Sequence, residues 1–352
     1  MVRPAVARRS GEAGVAPNPP QPGSHAATLG LQLAASGSGQ DGRAVSLDDA
    51  RRAVRKLTRR HPENFLVLSC LVPRVLRDDF AAVYAFCRVA DDVADEQGVG
   101  VEARARALAG LADWRGQLDA CFRGEAAKQV QTNPVFVALR ATAGRRGLDP
   151  APFHRLIDAF EQDQRVSRYG TWDELIGYCR GSADPVGRIV LKLFGADFGV
   201  EPTDDDLRRS DAICTALQLT NFWQDVRRDL FERDRVYLPA DALAAVGLDD
   251  SLLRAWAEDS ETAERREAFA AALSPLLERT RELFDEGQGL LDRLPSAPRR
   301  VIGLFRAGGL RVLARVEASD GGTLWRRPRL TRGDRAALLA RAVLRIGASR
   351  HG

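Results

Sequence analysis

From Ser46 onward the chain shows no sustained period-2 alternation of apolar and polar residues and no Asn-Gly hairpin, so strands are not expected. It offers long stretches free of helix breakers instead. Arg74 to Gln97 and Thr203 to Leu238 contain neither Gly nor Pro, and each is long enough for a helix of several turns. Elsewhere Gly and Pro, among them Gly144, Pro185, Pro295 and Gly308, recur at helix-length intervals and mark expected boundaries. Pro275 sits inside an otherwise helical run, where it predicts a kink or a break. No repeat of fixed period is found. The pattern predicts an all-α helical bundle.

Residues 1–45 are different material. Four prolines fall between Pro17 and Pro22, and Ala35 to Gly42 is mostly small and polar. Few large apolar side chains are present to offset the entropy of ordering, which predicts a disordered N-terminal extension ahead of one domain over 46–352. No apolar central run marks a secretory signal, while Arg3, Arg8 and Arg9 leave an organellar targeting role open.

The two longest uninterrupted runs carry matching polar stripes. In the first, Tyr84, Arg88, Asp91 and Asp95 fall at i, i+4, i+7 and i+11, on one face of a helix whose intervening Val89, Ala90, Val93 and Ala94 are apolar. In the second, Gln218, Asn221, Asp225 and Asp229 stand at offsets of 0, 3, 7 and 11. Acidic residues four apart usually lie on a solvated face. Their repulsion costs a few tenths of a kcal/mol, so helix stability alone gives no reason for them. Two such stripes in largely apolar helices suit Mg²⁺, which binds one or two carboxylates and keeps water and substrate phosphates in its shell. Facing stripes would hold several Mg²⁺ ions against one diphosphate, with Arg88 meeting a phosphate oxygen.

Composition narrows the field. Of 352 residues 45% are apolar and 28% charged, a globular balance able to bury a large core. The excess of 52 basic over 48 acidic residues is too thin to argue for nucleic acid. No uncharged apolar run reaches the length of a membrane span. Cys70, Cys87, Cys121, Cys179 and Cys214 form no Cys-x-x-Cys, sit among apolar residues and read as buried reduced thiols of a cytoplasmic protein. Four histidines are too few for a His-based metal site.

At these stripes the sequence resembles the squalene and phytoene synthase family, from about His61 to about Leu344. Three segments carry the likeness. They are Tyr84-Ala-Phe-Cys-Arg88-Val-Ala-Asp91-Asp92-Val-Ala-Asp95, Tyr178-Cys-Arg-Gly-Ser-Ala-Asp-Pro-Val-Gly187, and Asn221-x-x-x-Asp225-x-x-x-Asp229 followed by Arg235-Val-Tyr237-Leu-Pro. The resemblance implies the isoprenoid synthase bundle. It also implies Mg²⁺ and diphosphate binding at Asp91, Asp95, Asn221, Asp225 and Asp229. Tyr84, Arg88, Gln218, Arg235 and Tyr237 would then stand at the diphosphate end and Tyr178 on the reaction cavity.

Departures from the condensing members refine the expectation. The stretch that usually supplies a Ser and a Lys to a diphosphate is His61-Pro62-Glu63-Asn64-Phe65 here, so an anion replaces the cation. Glu63 and Asn64 fit either a polar role near the diphosphate or a helix start after Pro62. Gln224 replaces the Arg that commonly precedes the second motif's aspartate, and Ala183-Asp184 replaces Ala-Gly. These changes look like the bacterial hydroxysqualene synthase subfamily of hopanoid biosynthesis. That likeness implies a carbon–oxygen lyase acting on presqualene diphosphate, supplied by a partner presqualene diphosphate synthase. Water, rather than hydride from NADPH, would capture the rearranged cation, and no Gly-x-Gly-x-x-Gly unit is present to bind a nicotinamide. Tyr178 and Asp184 are candidates to place that water. Tyr178 equally fits a core tyrosine, and Asp184 fits a helix N-cap ahead of Pro185 still better.

Two rivals remain open at this point. One is a head-to-head prenyl transferase making squalene or phytoene from two prenyl diphosphates. The other is a non-catalytic assembly protein on the same fold, which predicts degraded carboxylate stripes. A thirty-carbon substrate also suggests peripheral contact with the inner face of the cytoplasmic membrane. Arg299 to Val316 is the candidate segment, as an amphipathic surface helix or, more simply, as a bundle helix with its arginines outward.

Overall fold

The computed structural model describes residues 44–59, 71–98, 100–125, 127–331, 333–334 and 336–338. Most of the expected N-terminal extension lies outside them, as do the His61–Phe65 stretch with Asn64, Cys70, and the C-terminal residues beyond 338. Val45, placed in that extension by its sequence, is instead part of the fold. The Val45 N–H donates to the Gln131 carbonyl at 2.8 Å, and its side chain packs on the core.

The described residues are helical, with one isolated bridge between Arg168 and Val236. In chain order the helices are α1 (Leu47–Arg59), α2 (Arg77–Asp95), α3 (Val101–Phe122), α4 (Lys128–Thr132), α5 (Pro134–Arg146), α6 (Ala151–Gln162), α7 (Trp172–Ser182), α8 (Asp184–Phe194) and α9 (Asp204–Glu232). After these come α10 (Ala240–Ala244), α11 (Asp250–Glu258), α12 (Ala263–Glu286), α13 (Gln288–Arg293) and α14 (Ser296–Glu317). The fold class is therefore the expected one.

Local chemistry sets the boundaries. Thr203 and Asp206 form a reciprocal capping box at the start of α9, Thr171 caps α7, and Asn133 caps α5 with Pro134 at its first position. At its far end α9 stops short of Leu238 because Asp234 adopts φ +52°, with its carboxylate bonded by Arg168 and Arg254. Arg235 to Leu238 then leaves the helix line, which matters for the site. The expected boundary at Gly308 is absent, Gly144 falls in the last turn of α5, and at Pro275, where a kink or a break is expected, the helix does not break. α12 runs through Pro275, flanked by buried Leu273, Leu276 and Leu277, and α14 runs through Gly308 and Gly309. Gly309 is there for close approach, since a Cβ on it would lie 2.5 Å from Leu217 and 2.7 Å from Phe284.

Two apolar clusters make the core. In the first, Phe86 of α2 packs against Trp114, Phe136 and Phe153 at centroid distances of 5.7, 6.1 and 5.1 Å. The second surrounds Trp223, whose indole N–H donates to the Thr280 hydroxyl at 2.9 Å. α9 serves both clusters, giving Ile213 to the first and Leu219 and Trp223 to the second. Its 29 residues span about 43 Å.

α14 is a bundle helix. Val301, Ile302, Leu313 and Val316 are buried, Arg306 donates to the Phe284 carbonyl at 2.7 Å, and Arg315 pairs with Asp334 at 2.7 Å. No helix among the described residues is long and apolar enough to cross a membrane. Cys121 and Cys179 are buried, Cys87 and Cys214 are half-buried, and all four are unpaired. Burial pushes the thiols of Cys87, Cys121 and Cys214 up to about 12, far from thiolate chemistry.

Candidate active site

The two stripes meet through arginines. Along α2, Tyr84, Arg88, Asp91 and Asp95 are half-buried, on a helix whose intervening Val89, Ala90, Val93 and Ala94 are buried. Arg88 donates to Asp91 at 3.1 Å and also pairs with the fully buried Asp92 one turn on, so its guanidinium is held by its own helix. Tyr84 lies one turn earlier, close enough to interact electrostatically with Arg88. On α9, Asp225 and Asp229 are buried, Gln218 is half-buried and Asn221 is exposed.

Arg233 sits between the stripes, 2.8 Å from Asp95 and 3.5 Å from Asp229. Arg235 pairs with Asp95 at 3.1 Å. Asp225 is paired with Arg228 at 3.2 Å and with Arg327, which arrives from the segment after α14. The structure thus brings Asp91, Asp95, Asp225 and Asp229 into one electrostatic unit. It does not bring them together as a ligand cage, for no three His, Cys, Asp or Glu side chains among the described residues are grouped to hold a metal.

The protonation equilibria show what the unit lacks. Burial pushes the Asp229 carboxyl up to about 7 against the pull of Arg233, with Asp225 beside it adding repulsion. Burial and Asp95 likewise raise Asp91, and burial raises Asp92 to about 7 against Arg88. Burial is the leading cause at each, so what the unit lacks is water around its charges, which the neighbouring guanidinium groups offset only in part. Asp91, Asp95, Asn221, Asp225 and Asp229 offer oxygen atoms, the donor type that a hard divalent cation takes, but as they stand they do not converge on one point.

Beside this unit stands an aromatic wall. The ends of two elements build it: the Val236 N–H donates to the Ser167 carbonyl and the Ala240 N–H to the Tyr169 carbonyl, each at 2.9 Å. Those bonds lay the segment after α9 against the loop after α6. Tyr178 then lies 5.4 Å from Tyr169 and 5.9 Å from Tyr237, while Tyr237 stacks on Phe222 at 3.8 Å and 9°. A small pocket is lined by Phe222, Val226, Asp229, Arg235, Tyr237 and Leu238, so the wall and the acidic stripe share one space. The Tyr178 hydroxyl donates to Asp163 at 2.8 Å, and Arg235 donates to the Asp163 carbonyl at 3.3 Å.

Asp184 is displaced from its expected place. It is the first residue of α8 rather than its cap, makes no capping bond, and accepts a hydrogen bond from Thr215 of α9 at 2.8 Å. Asp163, Tyr169, Phe222, Arg233 and Arg327 were not among the residues singled out by sequence. One signal was available: the chain has four tyrosines, and three of them meet here.

An all-α bundle whose two acidic helix faces border an aromatic pocket defines a class, the helical synthases that handle prenyl diphosphates. Residues 58–334 match the squalene/phytoene synthase family, and the chain belongs to that family of enzymes. It is 40% identical to the hydroxysqualene synthase of Zymomonas mobilis over 187 residues, 53% of this chain and 57% of that one. It is 35% identical to the hydroxysqualene synthase of Rhodopseudomonas palustris over 228 residues, 65% of this chain and 70% of that one. The matched stretch thus spans little more than half of the Zymomonas relative. The phytoene synthase of Thermus thermophilus is 30% identical over 300 residues, 85% of this chain and 94% of that one. Among solved structures, the squalene synthase HpnC from Alicyclobacillus acidocaldarius superposes with a TM-score of 0.66 at 39% identity, covering 79% of this chain and 97% of that one.

Proposed function

We propose that the protein ionises presqualene diphosphate, lets the cation rearrange and captures it with water, giving hydroxysqualene and diphosphate. The observation that carries this reading is the 40% identity to the Zymomonas hydroxysqualene synthase. Gln224 supports it, because the place of a common cation is taken by an amide that donates to the Pro328 carbonyl at 2.6 Å.

Asp91, Asp95, Asn221, Asp225 and Asp229 would hold Mg²⁺, which when bound neutralises charge developing on the departing diphosphate. Arg88, Arg233, Arg235 and Arg327 are the chain's own cations at that end and would release carboxylates as the substrate's anion enters. Tyr84 and Gln218, the first positions of the two stripes, would face the substrate along the same faces. Phe222, Tyr178 and Tyr237 offer π faces to a cation and keep bulk water away from it. The reaction consumes water and needs no nicotinamide. Because its substrate is the product of joining two prenyl diphosphates, a presqualene diphosphate synthase must precede it.

A second reading, full head-to-head condensation, is favoured by the 94% coverage of the Thermus phytoene synthase. Purified protein with Mg²⁺ is offered presqualene diphosphate alone and farnesyl diphosphate alone, with products read by mass spectrometry. Hydroxysqualene from the first and nothing from the second is expected. Turnover of farnesyl diphosphate to a thirty-carbon product would sink the hydrolytic reading.

A further inference from the structure

Next to the acidic stripes, three separate segments build a second buried polar cluster. Asp163 follows α6, Tyr169 lies in the loop beyond it, and Tyr178 is on α7. The Asp163 side chain is 8% exposed and Tyr169 is 4% exposed. One carboxylate oxygen of Asp163 accepts from Tyr178 at 2.8 Å and lies 3.8 Å from the Arg235 guanidinium. The other oxygen, Oδ1, is buried and accepts no hydrogen bond, and the buried Tyr169 hydroxyl has the Gln162 side chain as a weak hydrogen-bonding neighbour.

A buried carboxylate oxygen with no partner, close to a phenol with bonding capacity to spare, is unusual. Such an atom destabilises the fold if nothing pairs with it, and most buried polar atoms in native interiors are bonded to protein or ordered water. An acceptor and a phenol that donates or accepts are complementary partners for a water molecule, which typically makes about three bonds when buried. The cluster is also well placed. Its Tyr178 and Tyr169 rings are part of the aromatic wall, and Arg235 joins Asp163 to Asp95 at the end where the leaving group would sit.

We propose that Asp163 and Tyr169, assisted by Tyr178, hold the water molecule that captures the rearranged cation, and that Asp163 accepts its proton. This rests on the hydrolytic reading above. The oxygen lone pair of the water forms the new C–O bond. One O–H bond of that water breaks, and its proton passes to Oδ1 of Asp163. The products are a neutral alcohol and a neutral carboxylic acid, so the positive charge of the cation and the negative charge of the carboxylate cancel. No oxidant or reductant enters. Burial raises Asp163 to about 6 against the pull of Arg235 and Tyr178, which leaves the carboxylate charged at neutral pH yet basic enough to take a proton. Holding one water in a dry wall also answers a timing problem, because free water would quench the cation before it rearranged.

The test uses the full chain with presqualene diphosphate and Mg²⁺, measuring diphosphate released and alcohol formed in the same reaction. Asp163→Asn keeps an acceptor for Tyr178 but has no charge to take a proton. Its alcohol yield per diphosphate released is expected to fall at least tenfold, replaced by hydrocarbons formed by proton loss or by alcohols of the unrearranged cyclopropyl skeleton. Tyr169→Phe removes one hydroxyl and is expected to lower the same ratio at least threefold, which keeps the test open if Asp163→Asn does not fold. A wild-type ratio in either folded variant overturns the assignment. So does a folded Asp163→Asn protein that releases no diphosphate, since Asp163 would then belong to ionisation. Failure of the wild-type protein to release diphosphate refutes the hydrolytic reading itself, and is read separately from the variants.

Discussion

Arg327 forms an ion pair with Asp225 across 102 residues of sequence. The same segment is anchored by its neighbour, since the Pro328 carbonyl accepts from the Gln224 amide at 2.6 Å. The stretch of chain after α14 therefore straps down on the second acidic stripe. The Arg327 side chain is 29% exposed and that of Asp225 12%, so the pair is only partly desolvated. Arg327→Ala and Asp225→Asn, alone and together, are expected to show a coupling of about 0.5–2 kcal/mol by chemical denaturation. Additive effects would mean that this ion pair does not help to hold the strap, which is also anchored by Gln224, by Trp325 on the Trp256 carbonyl and by Arg326 on Glu261.

Asp91 offers a cleaner probe of the cation requirement. Burial and the Asp95 charge already raise its carboxyl, so removing its charge relieves repulsion. Arg88 keeps Asp92 as a partner. Asp91→Asn is expected to lower turnover of presqualene diphosphate by on the order of 10²-fold or more, the scale of losing one charge-stabilising group at a leaving group. Its thermal midpoint is expected not to fall. Retained activity would remove Asp91 from the diphosphate end.

Asp184 makes stability depend on pH with a definite sign. Burial raises it from 3.8 to about 7, against the hydrogen bond from Thr215. A carboxyl with a raised folded-state pKa favours folding most when protonated, so its contribution is lost as pH climbs from about 4 to about 7. Asp184→Asn cannot ionise. The stability of Asp184→Asn relative to wild type is therefore expected to rise across that window and level off above it, in urea denaturation at pH 4, 5.5, 7 and 8. A flat difference would show that Asp184 is charged at little cost.

Gly309 sets how closely α14 approaches α9 and α12. A Cβ there would meet Leu217 at 2.5 Å and Phe284 at 2.7 Å, both inside the core. Gly309→Val is expected to destabilise the fold by about 1–3 kcal/mol through overpacking. Gly308, its neighbour, has open space around its missing side chain, so Gly308→Ala is expected to be neutral or mildly stabilising. Equal effects at the two positions would contradict this packing.

The two acidic stripes could be read from sequence because their geometry is local. A helix repeats every 3.6 residues, so Tyr84, Arg88, Asp91 and Asp95 share a face whatever packs against it. The all-α class followed from the long runs free of Gly and Pro and from the lack of period-2 alternation. Helix ends were less accessible: Pro275 and Gly308 carry breaker identities, yet α12 and α14 run through them, with buried Leu273, Leu276 and Leu277 flanking Pro275 and the close-packed Gly309 next to Gly308.

What stands opposite the stripes was decided by tertiary structure. Arg233 lies between Asp95 and Asp229 only because the end of α9 comes to rest beside the end of α2. The Asp163, Tyr169, Tyr178 and Tyr237 cluster depends on the turn at Asp234, which lays the segment after α9 against the loop after α6. Within the sequence, Asp163 was one more acid at a helix end, and Tyr169 one tyrosine beside a glycine. Periodicity fixes which side chains share a helix face, but the energy that chooses the facing residues comes from packing between distant segments. No local pattern records that choice.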